Sequence, residues 1–266
     1  MPVEQSQNKV TLKHGKSTVQ IYLLGATLTS WVFDGQERIF VSPLVFPQFG
    51  PKGPLPQHGF ARVSKWDWLG VTTENASELT VSFGLKPDAV PESQRKIWSH
   101  DFKLLYTVTL IGNTLKTKLT VHNTSSGPFG FTSLLHTYIR VKDVTKAQVV
   151  GLTGYTLEDT INNNLISTES RHGVTVAGEV DRVYQNVTNN ILTIENTHIG
   201  AGFIISKSNF KDVVVWNPWI ENAKKMADFD DEEYLNMICV EVGNVASPIQ
   251  LAPGGVWEGE QTLVAI

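Results

Sequence analysis

The chain has 266 residues, 41% of them hydrophobic, enough to bury one large core, and all-β chains of this length commonly fold as a single domain. Residues 1–266 are therefore expected to form one domain. Lysine and arginine total 22 against 26 aspartates and glutamates, a net charge of −4 with no long run of like charge; this excludes the basic footprint of a nucleic-acid or anionic-membrane binder. The start MPVEQSQNKV shows no apolar leader, and no stretch approaches the ~18 apolar residues of a membrane span. The single Cys239 excludes an intramolecular disulfide and a cysteine-built zinc cage. The expectation is a cytoplasmic monomer.

In chain order, the first segment with chemical character is LPQHGFARVSKW. It gathers Gln57, His58, Arg62 and Lys65 around a turn at Gly59, donors suited to hydroxyl or phosphate oxygens. A surface loop without function reads equally well. PESQRKIW is the best helical pattern, with Pro91 at the first helical position and Glu92 complementing the helix dipole. KLLYTVTLIGNTLKTKLTVHN reads as a hairpin, because Gly112 and Asn113 accept the positive φ angles of a tight turn.

Alternating runs dominate elsewhere: STVQIYLL, ASELTVSFGL, AQVVGL, GAGFIISK and GEQTLVAI, each bounded by turn residues. They predict an all-β fold, an antiparallel sandwich or barrel, with little helix. The sequons at Asn75, Asn123 and Asn186 are read as turn residues.

In FTSLLHTYIRVKD, period-two alternation puts His136, Tyr138 and Arg140 on one face and Leu135, Thr137, Ile139 and Val141 on the other. The polar face is either solvated or the wall of a concave site. GEVDRVYQN places Glu179, Asp181 and Val183 together, opposite Arg182 and Tyr184; Asp181 suits sugar hydroxyls or a turn. VVVWNPW offers Trp216 and Trp219 for stacking on a ring, although tryptophans in an apolar run more often belong to a core. The acidic run MADFDDEEY, with Asp228, Asp230 and Asp231, lacks the glycine turn and ligand spacing of a calcium loop and reads as solvated. In MICVEV, Glu241 shares a face with Met237 and Cys239. Buried, it would be a partly desolvated carboxylate suited to act as a base; on an edge strand it would simply face out.

Taken together, GATLTSW, PLVFPQFG, LPQHGFARVSKW, LKPD, HTYIRV, GEVDRVYQN, VVVWNPW, KKMADF and MICVEVGNV follow one another across nearly the whole chain and resemble the glucose-6-phosphate 1-epimerases of the galactose-mutarotase-like superfamily. The resemblance implies an antiparallel β-supersandwich that binds a sugar or sugar phosphate in a concave cleft. No metal, nucleotide or redox cofactor is implied. It implies His136 as general acid and Glu241 as general base, facing each other with the sugar C1 and ring oxygen between them. It also implies His58 and Arg62 lining the cleft beside Gln57, and Asp181 holding hydroxyls; Arg62 leads as phosphate contact, with Lys65 weaker. The base takes the C1 hydroxyl proton while the acid protonates the ring oxygen; the opened aldehyde rotates and recloses as the other anomer. An imidazole titrating near neutrality suits that exchange.

One departure stands out. Between Ser42 and Pro43, relatives of this kind carry an extra stretch ending in an arginine, two glycines and Ile-Pro, and that arginine is expected to grip phosphate. Two other readings stay open: a non-catalytic carbohydrate-binding module, and an aldose 1-epimerase acting on unphosphorylated hexose.

Overall fold

A computed structural model describes residues 2–195, 202–226 and 230–266. Strand accounts for 54% of the described residues and helix for 9%, far below the 30–35% helix of an average globular protein, as the alternating runs predicted. All the strand pairings along the three sheets are antiparallel. A five-stranded meander leads from Val3–Gln5 to Gln36–Glu37. A nine-stranded sheet spans from Gly173–Thr175 to Asp67–Glu74. An eight-stranded sheet has the long strand Met237–Leu251 near its middle, flanked by Asp212–Asn217 and Phe129–Leu135.

The hydrophobic core joins all three sheets. Leu12, Ile21 and Trp31 of the meander, Phe83, Leu104 and Leu119 of the nine-stranded sheet, and Val213, Val215, Val240 and Val242 of the eight-stranded sheet form one buried cluster. Because side chains alternate along a strand, the residues between those valines point to the opposite face. There Val214, Val183, Val45, Leu134 and Val245 make a second, smaller cluster, with Phe49 and Trp216 packed against it. Asp181, Trp216, Cys239 and Glu241 of this sheet belong to that second face.

Local signals behave as their chemistry dictates, with two differences. Ile111 pairs with Thr114, so Gly112 and Asn113 form the predicted two-residue turn, but only Gly112 takes a positive φ, of 55°. The helix covers Glu92–Ile97, and Pro91 sits just before it as the cap residue. Asn75 closes its turn by accepting from the backbone N–H groups of Ser77 and Glu78, and Asn123 is buried. Asp230 and Asp231 of the acidic run are exposed, whereas Asp228 lies outside the described residues.

Candidate active site

Strand register assembles the site in two rows. Directly paired residues of antiparallel strands share a face. Asp181 pairs with Trp216, Trp216 with Cys239, and Cys239 with Tyr138. One step along, Val183 pairs with Val214 and Val214 with Glu241. The strand carrying His136 breaks just there: Phe129–Leu135 ends and Tyr138–Arg140 resumes, with the His136 N–H donating to Pro43 O at 3.0 Å. The break turns the imidazole over the end of the second row.

His136 Nδ1 lies 3.1 Å from Glu241 Oε1, the two side chains 12% and 1% exposed. Tyr138 stacks on the imidazole with ring centroids 4.9 Å apart and planes 14° from parallel, and Trp216 meets it edge-on at 5.8 Å. These contacts fix the ring orientation and add about 0.5–1.5 kcal/mol each beyond area burial. Above this floor opens a cleft of about 520 Å³, lined also by Phe49, Lys52, Gln57, His58, Arg62, Thr160, Asn164, Asp181 and Met226. A pyranose fits within that volume.

The roof loop is rigidly built. The buried Gln48 amide accepts from the Leu55 N–H at 3.0 Å and donates to the carbonyls of Gly50 and Leu55 at 3.1 and 3.0 Å. His58 and Gly59 take consecutive left-handed conformations, φ 68° and 69°, and a Cβ at position 59 would strike the Phe46 carbonyl oxygen; only glycine fits. His58 Nδ1 accepts from the Gly50 N–H at 3.3 Å, which leaves the proton on Nε2. Arg62 Nη2 donates to Gln57 O at 3.1 Å.

Burial sets the electrostatics. It pushes the Glu241 carboxyl well above its ordinary value, helped by the Asp181 charge. Burial, with His58 and Arg62 adding repulsion, holds His136 down to about 3, and burial with Arg62 holds His58 down to about 4. Asp181 is raised chiefly by burial. The imidazole therefore does not titrate near neutrality by itself. At 3.1 Å the pair is close enough to hold one proton in common, as carboxyl and imidazole or as carboxylate and imidazolium, two forms of equal net charge. Burial favours the first, because it penalises separated charge.

His136, Glu241, His58, Arg62, Gln57 and Asp181 thus all converge on one cleft. The expected spacing of the pair is corrected: His136 and Glu241 touch, so no ring atom lies between them in the empty cleft. They sit side by side on neighbouring strands of one sheet. Lys65 is exposed, its backbone bridged to Leu24, and lies outside the cleft lining. The cation that sequence reasoning missed is Lys52, 3.7 Å from Glu158. Trp216 lines the cleft and is not core, while Trp219 packs on Tyr234 at 5.1 Å. Arg140 shares the His136 face but covers the Phe40 ring at 3.7 Å.

Residues 42–264 match the aldose 1-epimerase family. A protein of Cenchrus ciliaris, provisionally named glucose-6-phosphate 1-epimerase, is 35% identical over 97% of this chain and 84% of its own length. One from Escherichia coli K12 with the same provisional name is 30% identical over 87% and 81%. The crystal structure of a protein from Salmonella typhimurium provisionally described as a mutarotase, YeaD, superposes with a TM-score of 0.88 at 27% identity, covering 98% of this chain and 92% of that one.

Proposed function

The chain belongs to the aldose 1-epimerase family, and from that membership we propose that it interconverts the α and β anomers of a hexose 6-phosphate by acid–base ring opening and reclosure. The observation that carries this reading is the His136–Glu241 pair, 3.1 Å apart on the floor of a cleft of sugar size. The hydroxyl oxygen and the ring oxygen of a cyclic sugar are bonded to the same carbon, so the groups that exchange protons with them must be neighbours. In this reading the sugar lies over the pair and separates the two side chains. One member takes the C1 hydroxyl proton as the other gives a proton to the ring oxygen. Ring opening turns carboxylate and imidazolium into carboxyl and imidazole; reclosure reverses it. Each positioned proton transfer contributes about 10²–10⁴-fold.

Asp181 holds hydroxyls at one wall, and Arg62, with Gln57 and His58, faces the phosphate end. The chain acts as one domain and as a monomer in the cytoplasm, with no nucleic acid or membrane partner. That no described helix is long and apolar enough to cross a membrane fits this placement.

One feature favours a second reading, action on free hexose. Ser42 bonds to Leu28 O and to the Thr137 hydroxyl, and Leu44–Val45 pairs directly with Leu134–Leu135. The chain thus runs straight from Ser42 into the sheet, without the arginine-bearing stretch that the resemblance led one to expect. An anomerisation assay started from pure α anomer, with the spontaneous rate subtracted, decides. Faster equilibration of glucose 6-phosphate than of glucose and galactose is the expected result. Equal acceleration of the free sugars would establish the second reading, and binding without acceleration would leave a carbohydrate-binding module.

A further inference from the structure

Among the described residues, one group of three potential metal-ligand side chains lies close enough to hold an ion: His136, Cys239 and Glu241, whose donor atoms all fall within 4.8 Å of one another. Their spacing is informative. With bonds of about 2.0–2.1 Å to nitrogen, 2.3 Å to sulfur and 2.0–2.2 Å to oxygen, a tetrahedral zinc site has N···S and N···O edges of about 3.6 and 3.4 Å. Here His136 Nδ1 stands 3.8 Å from Cys239 Sγ and 3.1 Å from Glu241 Oε1. Both His136 edges are within a few tenths of an ångström of those values, and the Cys239–Glu241 edge, within 4.8 Å, closes by side-chain rotation.

A second observation points the same way. Glu241 Oε2 is buried, on a residue 1% exposed, and has no hydrogen-bond partner. A buried carboxylate oxygen left in this way costs free energy unless a proton donor or a cation meets it. Asp181, one row away on the same face, adds negative potential, which Arg62 and His58 on the roof oppose. Thiolate, carboxylate and neutral imidazole sum to −2, the complement of a divalent ion. His136 and Glu241 line the cleft, from which an ion reaches them.

We propose that this floor binds a thiophilic divalent cation of the zinc class through His136 Nδ1, Cys239 Sγ and a Glu241 oxygen, and that the ion and the sugar exclude each other. The ion is an inhibitor, not part of the reaction: it occupies both groups that move protons. It enters as the hydrated cation, and two protons leave to solvent as the bonds to the metal form: the Cys239 thiol proton and the proton of the His136–Glu241 pair. Cys239 has no place in the proton transfers above and acquires one here, as the ligand that makes the pair vulnerable to metal. Exclusion of sugar rests on the proposed function; binding of the ion does not.

The single cysteine makes the test unambiguous, since any thiolate-to-metal absorption must come from Cys239. Untagged full-length chain is titrated with Co²⁺ and the near-ultraviolet thiolate-to-cobalt band recorded. The expected result is a band saturating at one equivalent and bleached by Zn²⁺. Cys239→Ala should abolish it, and Glu241→Gln should weaken cobalt binding by more than about 100-fold, beyond the 10–100-fold of an outer-shell change. In parallel, Zn²⁺ should suppress anomerisation in proportion to occupancy, with recovery on chelation, and glucose 6-phosphate should raise the Co²⁺ concentration needed for the band. No band in the wild-type chain, or a band unaffected by Glu241→Gln, overturns the site whatever the variants do to folding. A band indifferent to every sugar overturns the exclusion alone, and a chain with no anomerase activity that still gives the band separates this proposal from the functional one.

Discussion

Two glutamates, each with almost no surface open to solvent, have opposite fates. Glu169 is 3% exposed and Glu241 is 1% exposed. Glu169 accepts from Arg171 Nε and Nη2 at 2.7 and 2.6 Å, from the Arg171 N–H at 3.0 Å and from the Tyr184 hydroxyl at 2.8 Å. Burial works against its charge, but these bonds outweigh it and hold the carboxyl down to about 2. Glu241 meets only the His136 imidazole, at Oε1, and the weak donor of the Cys239 thiol; its Oε2 has no hydrogen-bond partner, and burial with the Asp181 charge pushes its carboxyl up. Glu169 lies close to solvent beside a half-exposed arginine and has four donors, Glu241 lies deep and lacks them, and both differences push the pKa values of the two carboxyls apart. A satisfied carboxylate holds structure together, while an unsatisfied one waits for a partner the fold does not supply.

The largest expected effect falls on the unsatisfied site. Glu241→Gln keeps the shape and removes the proposed base; His136→Asn removes the proposed acid. Each should lower turnover by about 10²–10⁴-fold with sugar binding nearly unchanged, and the double variant should lose less than the product of the two. Thermal unfolding should show Glu241→Gln as stable as the parent or more so, because a costly buried acid is gone. Marked destabilisation would put Glu241 in the same class as Glu169.

Glu169→Gln should do the reverse: kcat retained and stability lowered by about 2–3 kcal/mol. That is below the 3–5 kcal/mol of a fully buried pair, because the Arg171 side chain is 41% exposed and water can take over its charge. The folded value of Glu169, about 2, lies below the ordinary 4.5. Its contribution is complete above pH 4.5 and is lost as pH falls toward 2. Denaturant midpoints measured down this range should fall less steeply in Glu169→Gln than in the parent; parallel curves would show that the bonds do not matter.

Smaller still, Arg62→Ala should raise KM for the phosphorylated sugar by about tenfold, the loss of one charge-assisted hydrogen bond, with less effect on the free sugar. Equal increases would show that Arg62 does not read phosphate.

The sequence exposed one half of this molecule better than the other. Period-two alternation placed His136 with Tyr138, and Glu241 with Cys239, because a strand has only two faces and a polar residue marks one of them. It could not show that the two strands meet: Glu241 sits opposite Val214, and the break at His136 that closes the gap depends on Pro43, more than ninety residues earlier. Trp216 was hard to assign because Val213, Val214 and Val215 are apolar on both faces of their strand, as in any doubly covered sheet. Lys52 and Asn164 lie in loops, where no periodicity exists to orient a side chain; Asn164, at φ 57°, shows that only the folded backbone aims it. Lys65, near Arg62 in sequence, was drawn to the site by proximity, yet the bridge to Leu24 holds its segment away.

The shared proton of His136 and Glu241 also bears on how salt acts. Its two forms carry the same total charge, so the chemical step changes no long-range field and mobile ions have nothing to screen. Encounter is different: on the proposed function a phosphorylated sugar approaches a chain of net charge −4, and the local positive potential of Arg62 and Lys52 is what would draw it past that repulsion. Ionic strength then acts on capture and leaves turnover alone, so one protein divides its kinetics into a salt-sensitive approach and a salt-blind reaction.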